Sequence, residues 1–480
     1  PPRRRTEVHM ARIVVTGAGV AGLVGAMALA QDGHEVTLLE RDAAEPPSPA
    51  EAWDDWDRRG VNQFRLLHYV APRFRQEVER ELPQVVKHME AAGALRINPL
   101  SGAPDELTGG ARPGDDAYTA LTGRRPVVEA ALAAAALETP GLAVRRGVAV
   151  QGLTTGPSHR AGIPHVTGVR IESGEEIAAE LVVDASGRRS PLPAWLAAIG
   201  ARPPTEELED MGFIYYGRHF RSADGSIPAI MGGLLQSYGS VSTLTLPADN
   251  GTWGVGLVTS AGDKAMRQVR NIDTWTAVVK SLPMVAHWLD GEPIDEGISV
   301  MAKIEDRHRD FFVDGTPVAT GIAPIADSWA CTNPSLGRGA TLGLLHALAL
   351  RDTLRDVGVD DPGTTAAAWQ DVTMRALEPW YRATVDFDRH RLEEIDAEIR
   401  GEEYRPDGEY WDVVQGLQFA SGQDPDCLRA VLEIFGLLRQ ADEVVADPVV
   451  FDKIVTLGAG WRDAPQLGPD RAGLLSIVAA

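Results

Sequence analysis

Two cysteines in 480 residues, Cys331 and Cys427, build no disulfide framework and no zinc-ligand set. That scarcity suits a reducing compartment, and the cytoplasm is the expected location. Positive charge is short as well. Lys and Arg number 46 against 68 Asp and Glu, a net charge of −22 with a pI near 4.9. A nucleic acid or an anionic membrane needs a cationic face to displace its counterions, so neither is expected as a partner, and a small-molecule substrate is. Long apolar runs are also missing. Beyond the first βαβ-like stretch the longest is the alanine-rich PVVEAALAAAALETPG, far short of the roughly 20 residues that a spanning helix requires.

What is present begins with RIVVTGAGVAGLVGAMALAQDGHEVTLLERD, Arg12 to Asp42. With Arg3, Arg4 and Arg5 ahead of it and AMALAQ near its end, the stretch has the outline of a secretory signal. Glycine is a poor helix former, however, and a signal has no use for a carboxylate at the end of a second apolar strand. The better reading is a β-branched strand, a GxGxxG loop, a helix and a second strand, the start of a dinucleotide-binding fold. Gly17 permits the tight turn, Gly19 lets the backbone approach a pyrophosphate, and Gly22 lets the helix pack close to the strand. Val20 and Ala21 open the helix, whose free N–H groups and positive dipole end favour phosphate. Glu40 stands where a carboxylate accepts from ribose hydroxyls, with Arg41 after it. Met10 marks the expected start of the fold, with residues 1–9 an upstream remnant.

A chain this long exceeds the size of one core, so two or three packed regions are expected. After Asp42 comes a proline-rich, acidic loop, and FRLLHYVAPRFRQEVERELPQVVKHMEAAGA then shows helical spacing up to an end signal at Gly93. A second helix is predicted at TGRRPVVEAALAAAALETPG, with Thr122 as its cap and Pro126 in its first turn. LAVRRGVAVQGL, IPHVTGVRIESGEEI and AAELVVDASG read as a meander returning to the first region. The expected organisation is a cofactor domain over 10–204, with a helical excursion at 45–120; a β-sheet substrate domain over 205–310; a return segment over 311–355; and a helical C-terminal region over 356–480.

Three separated pieces resemble one family, the FAD-dependent monooxygenases of the glutathione-reductase-like fold, across roughly residues 11–355. The group includes aromatic hydroxylases and epoxidases and is related to flavin-dependent halogenases and geranylgeranyl reductases. The pieces are GAGVAG with Glu40 and Arg41; VVDASGRRSPLPAWLAAIG, with Asp184, Ala185 and Gly187; and IADSWACTNPSLGRGATLG. The resemblance implies an α/β FAD-binding Rossmann-like domain, with Asp327 on the ribityl chain or ribose. The loop from Pro334 through Gly337 to Gly339 then runs beside the isoalloxazine ring, and Arg124 or Arg125 reaches the FAD phosphates. One position departs from the pattern: the family has a glycine directly before that aspartate, and this chain has Ala326.

The resemblance further implies that reduced FAD reacts with O2 to a C4a-hydroperoxide, from which one oxygen enters a small apolar or aromatic substrate by hydroxylation or epoxidation, the chemistry being the cofactor's. Specialised metabolism is a consistent setting. Electrons come from NADH or NADPH, or from a separate flavin reductase that supplies reduced flavin; no second glycine fingerprint is present. In GFIYYGRHF, Tyr216 and Arg218 share one strand face and are the first candidates to line a dry pocket. His68, in GVNQFRLLHYV, is the candidate base for a phenol. Cys331, without a partner thiol, is a packing residue. The alternatives are a flavin-dependent halogenase, although WDDWDRRG has the wrong spacing for that family's tryptophan motif; an FAD-dependent reductase of a prenyl or alkene substrate; and a protein that binds FAD without turnover.

Overall fold

The computed structural model describes residues 10–58, 60–61, 63–210 and 212–480; residues 1–9, expected to be an upstream remnant, lie outside the described residues. Strand Arg12–Thr16, helix Val20–Gln31 and strand Glu35–Glu40 form the βαβ unit that the apolar pattern predicts. The two strands run parallel, with Val14 opposite Thr37 and Thr16 opposite Leu39. Strands Leu181–Asp184, Ile322–Pro324 and Leu142–Arg146 complete a five-stranded parallel sheet in the order 322–324, 181–184, 12–16, 35–40, 142–146.

Both faces of this sheet are covered, which is why its central strands, with Ile13–Val15 and Leu181–Val183, are continuously apolar rather than alternating. On one face, helices Val20–Gln31, Arg125–Leu137 and Gly339–Val357 bury Leu23, Met27, Leu132, Leu344 and Leu348 in one core. On the other, Val14, Leu39 and Val182 pack against Leu153, Val166, Val169 and Trp195. Those partners come from an antiparallel meander, Val150–Arg160, Ile163–Ile171 and Glu176–Ala178, and from helix Leu192–Ala198. The segment LAVRR, expected in the meander, instead joins the parallel sheet at its edge. It follows a helix, and a strand that follows a crossover helix returns parallel to the strand it left.

The excursion differs from its helical expectation in two places. Helix begins only at Pro72, runs to Glu81, breaks, and resumes over Pro83–Ala91; the FRLLHYVA stretch is irregular. Pro83 has no N–H to donate and forces Leu82 out of helical geometry, to φ −137° and ψ 55°. Thr122 does not cap the following helix. It ends strand Ala120–Thr122, and its hydroxyl donates to the carbonyls of Leu95 (3.2 Å) and Ala248 (3.1 Å). The helix starts at Arg125 with Pro126 in its first turn.

A six-stranded sheet follows, with Phe213–Arg221 paired antiparallel to Thr252–Ser260 and that strand to Val241–Pro247. Its outer face carries Tyr216, Phe220, Trp253, Val255 and Leu257 against Trp275 and Val278 of helix Ile272–Lys280. Its inner face carries Phe213, Tyr215 and Val258 against Tyr381, Val385 and Ile395 of helix Glu378–Arg400. Shorter helices run from Tyr410 to Ala479, and Leu474 in the last of them packs into the outer-face core. Among the described residues no helix is long and apolar enough to cross a membrane.

One buried ion pair joins this sheet to the first domain. Arg124 donates through its backbone N–H (2.7 Å) and its Nη2 (2.6 Å) to Asp249, which follows strand Val241–Pro247 and has no solvent exposure. Removing one member of such a pair strands the other charge. Asp249→Asn is therefore expected to lower unfolding stability by about 3 kcal/mol in urea titrations; a loss under about 1 kcal/mol would show the pair to be dispensable.

Candidate functional site

The glycine loop lies between the first strand and its helix. Gly17 has φ +99°, donates to the Leu39 carbonyl at 2.7 Å, and leaves no room for a Cβ, which would sit 2.6 Å from the Ala185 oxygen. A Cβ on Gly22 would land on the Gly17 carbonyl, so the helix approaches its own strand as closely as backbone allows. Gly19 is the helix N-cap, and a Cβ added there meets no protein atom within 4 Å. The loop is therefore sealed on its protein side and open on the other.

Asp184 ties this loop to the second piece. Fully buried, its carboxylate accepts from Thr16 Oγ1 (3.0 Å), Ser186 N (3.1 Å), Ser186 Oγ and Ser190 Oγ. Its backbone carbonyl accepts from Ile325 N at 2.9 Å, which brings the third piece alongside. Asp184 thus points inward and organises the turn. The open atoms of that turn are at Gly187, at φ +82°, whose N–H donates to Ser328 Oγ at 3.1 Å. Ala185 N donates to the Thr16 carbonyl.

The third piece holds Ala326 at φ +51°, the left-handed backbone that glycine adopts without cost. The alanine thus sits in backbone that a glycine would adopt without strain. Two neighbours permit it. Gly343, a turn into helix 339–357, leaves space for the Ala326 methyl, since a Cβ there would lie 3.3 Å from it and 3.3 Å from Ala21. His346 Nδ1 accepts the Ala326 N–H at 2.9 Å, so the ring's proton sits on Nε2, which donates to Thr373 Oγ1 at 3.1 Å. Trp369 stacks on the imidazole 4.6 Å away, and burial holds its pKa down at about 3. The sequence gives no sign of this role, because a lone histidine in an apolar helix reads as packing.

The same turn presents Asp327, whose carboxyl is raised above its usual range by burial, against the opposing pull of Arg125 and Arg188. Arg188 Nη1 is buried with no hydrogen-bond partner. Gly337, at φ +63°, lies against Tyr69, Pro334 opens the short turn before it, and Gly339 begins the long helix with nothing within 4 Å of an added Cβ.

Glu40 and the two helix-head arginines are not free. Glu40 Oε2 accepts from Ala18 N (2.9 Å) and Arg58 Nη2 (2.6 Å), while Arg58 Nη1 reaches the Ala18 carbonyl (3.0 Å) and Glu129 (2.6 Å). Burial alone would lower the Arg58 pKa, but Glu129 and Glu40 reverse it and the net shift is upward. Arg58 was not foreseen; it sits in an irregular acidic loop that has no periodicity to mark it. Arg125 donates to Glu129 (2.6 Å) and Gln63 (3.2 Å) and also faces Asp327, whereas Arg124 is turned to Asp249 and to the ring of Trp53, 4.5 Å away. Of the two, Arg125 is the one at the site. Arg41 is exposed, beside Gly60.

The expected pocket residues are placed differently. Tyr216 lies in the outer-face core, and Arg218 is over Phe220 on that same face, 5.8 Å from the ring, away from the glycine loops. Alternation predicts that they share a face but not which face is turned inward. The inward neighbour is Tyr215, whose hydroxyl donates to Asn333 Oδ1 in the third piece. His68 has its Nε2 buried without a partner, and burial together with Arg125 lowers its pKa to about 3. A general base works best with a pKa near the working pH, so the folded His68 is poorly poised for that task. Cys331 is buried and free, with its thiol pushed up to about 12 by burial.

The parallel sheet, the three glycine turns and the attached antiparallel sheet define a dinucleotide-binding fold of the flavoprotein type. The same fold is found in pqsL, a probable FAD-dependent monooxygenase from Pseudomonas aeruginosa, at 14% identity and TM-score 0.59 over 81% of this chain and 97% of that one. The Diels-Alderase PyrE3 of pyrroindomycin biosynthesis shares it at 16% identity and TM-score 0.59, over 89% and 81%. The flavin-dependent halogenase CmlS does so at 16% and 0.55, over 98% and 76%. No family model matches the sequence. In sequence the chain is 30% identical over 458 residues to Protein Rv3254 of Mycobacterium tuberculosis, spanning 91% of this chain and 92% of that protein, and it belongs to the same family.

Two outcomes follow from the Ala326 turn. Ala326→Gly is expected to raise stability by about 1 kcal/mol, the usual cost of an L-residue in left-handed backbone, read from the urea midpoint; a loss of stability would contradict the strain. The unfolded chain protonates His346 below about pH 6.5, and the folded ring resists until about pH 3. Stability is therefore expected to fall as pH drops through that window, and His346→Asn should flatten the fall.

Proposed function

We propose that this protein is an FAD-dependent oxidoreductase, a monooxygenase that inserts one oxygen atom from O2 into a small apolar or aromatic substrate by hydroxylation or epoxidation. The observation that carries the cofactor part of this reading is that Gly19, Gly187 and Gly339, in the three pieces tied together through Asp184 and Ser328, leave open space where a Cβ would stand. Backbone left bare on one side at three converging turns fits a ligand that approaches backbone closely.

The residues present suit FAD. The loop Gly17–Gly22, at a helix N-terminus, would hold the diphosphate. Glu40 would take the adenosine ribose in place of its bond to Arg58, and Asp327 the ribityl chain, beside Arg125 and Arg188. FAD supplies the redox chemistry when bound and, once reduced by NAD(P)H or exchanged for flavin reduced by a separate reductase, the activation of O2. The chain's part is to bind, orient and keep water out. Tyr215 and Asn333, joined by a hydrogen bond where the inner face of the sheet meets the third piece, would stand between substrate and cofactor.

The test is a visible spectrum of the FAD-reconstituted protein, then anaerobic NADH or NADPH, then O2. Bleaching followed by oxygen uptake supports a self-sufficient monooxygenase; a yellow protein that neither nicotinamide reduces points to a separate reductase or another flavin reaction. Gly19→Leu isolates the cofactor claim. A Cβ there meets no protein atom within 4 Å, so the melting temperature should hold while FAD affinity falls at least about tenfold, or about 1.4 kcal/mol. FAD binding as tight as in the wild type would remove the loop from the cofactor site.

A further inference from the structure

The centre of the six-stranded sheet carries a patch that folding alone does not call for. Gly217 on one strand is opposite Gly256 on the next, and His219 is opposite Gly254. All three glycines fall on the inner face, in the middle of two strands that are paired on both sides. Glycine in a strand interior weakens it and marks a place where something approaches the backbone closely. Here the visitor is one side chain. Cβ atoms on Gly217, Gly254 and Gly256 would all run into Leu67, the last at 3.2 Å from its Cδ2. Leu67 is only half-buried and belongs to no helix or strand, so it covers the patch as a single side chain rather than as part of a packed element.

The patch has the dimensions of a ring. Strand spacing and rise make the floor roughly 5 Å across and 7 Å along. Its ends are walled by aromatic groups on the same face. Tyr215 lies toward the third piece, bonded to Asn333. His219 lies at the other end, fixed by Asp295 at 2.9 Å and edge-on to Trp53 at 4.8 Å.

We infer that Gly217, Gly254 and Gly256 form the floor on which the flat, mostly apolar ring of the substrate lies, and that Leu67 sets how much of that floor is available. The inference rests on the oxidoreductase reading for what happens to the ring, but not for its binding. The floor becomes available only when the Leu67 side chain moves off it, since its Cγ and both Cδ atoms lie over the three glycines. Leu67 is thus a specificity-determining residue.

The test uses the FAD-reconstituted protein and 2-naphthol as probe, with binding followed by equilibrium dialysis. Leu67→Ala should bind 2-naphthol at least tenfold more tightly than the double variant Leu67→Ala with Gly256→Ala. The added methyl of that second variant stands on the floor in space that Leu67 has vacated, so the fold is kept, as a matched thermal melt would verify. Equal affinity in the two variants would overturn the inference and leave the glycines as a seat for Leu67 alone. Repeating the dialysis without FAD separates the two readings. Protein that never takes up FAD yet shows the tenfold difference retains the floor and loses the cofactor assignment; a yellow protein that shows no difference does the reverse.

Discussion

Everything at the candidate site hangs from one carboxylate that never meets solvent. Asp184 takes four hydrogen bonds from Thr16, Ser186 and Ser190. A buried carboxylate without such donors would be costly enough to be protonated or expelled. With them it becomes a fixed post. Thr16 precedes the glycine loop, Ser186 and Ser190 flank Gly187, and the Asp184 carbonyl holds Ile325 one residue ahead of Ala326. Three stretches separated by well over a hundred residues each are set in one register by the oxygens of a single residue.

A second layer of the architecture is built from arginine. In a chain with an excess of 22 negative charges, buried guanidinium groups are where irregular segments are fastened. Arg58 draws the acidic excursion onto the glycine loop through Glu40, Glu129 and the Ala18 carbonyl. Arg124 draws the six-stranded sheet onto the head of helix 125–137 through Asp249. Arg's planar fork suits it to several acceptors at once, which an ammonium cannot satisfy in the same geometry.

The parts of this arrangement that were legible in the sequence are the local ones. The GxGxxG turn, the buried strand ends and the odd alanine before Asp327 depend on backbone geometry within a few residues, and residue type reports that directly. Facing does not work that way. Alternation pairs Tyr216 with Arg218 correctly, yet the sheet's inward side is decided by helix 378–400 and by the third glycine piece, far along the chain. The same holds for Arg124 and Arg125, adjacent residues whose division of labour is set by Asp249 and by Glu129 with Asp327. The helical spacing carries the expected helix straight through Leu82, although Pro83 is the residue that breaks it. Nor was the sheet to which Leu142–Arg146 belongs legible, because an edge strand of a parallel sheet and a strand of a meander look alike over five residues.

The two faces of the six-stranded sheet do different work. Phe220, Trp253 and Trp275 stack together on the outer face, and Trp288 closes the same core. The glycine patch of the inner face offers no side chain to any core. On the proposed reading, the middle of one strand alternates between core side chains on the outer face and a ligand floor on the inner one, while Phe213 and Tyr215 at its start pack in the inner core. At those central positions a change in what the strand meets leaves the aromatic packing behind it untouched, because alternate residues of a strand face opposite sides.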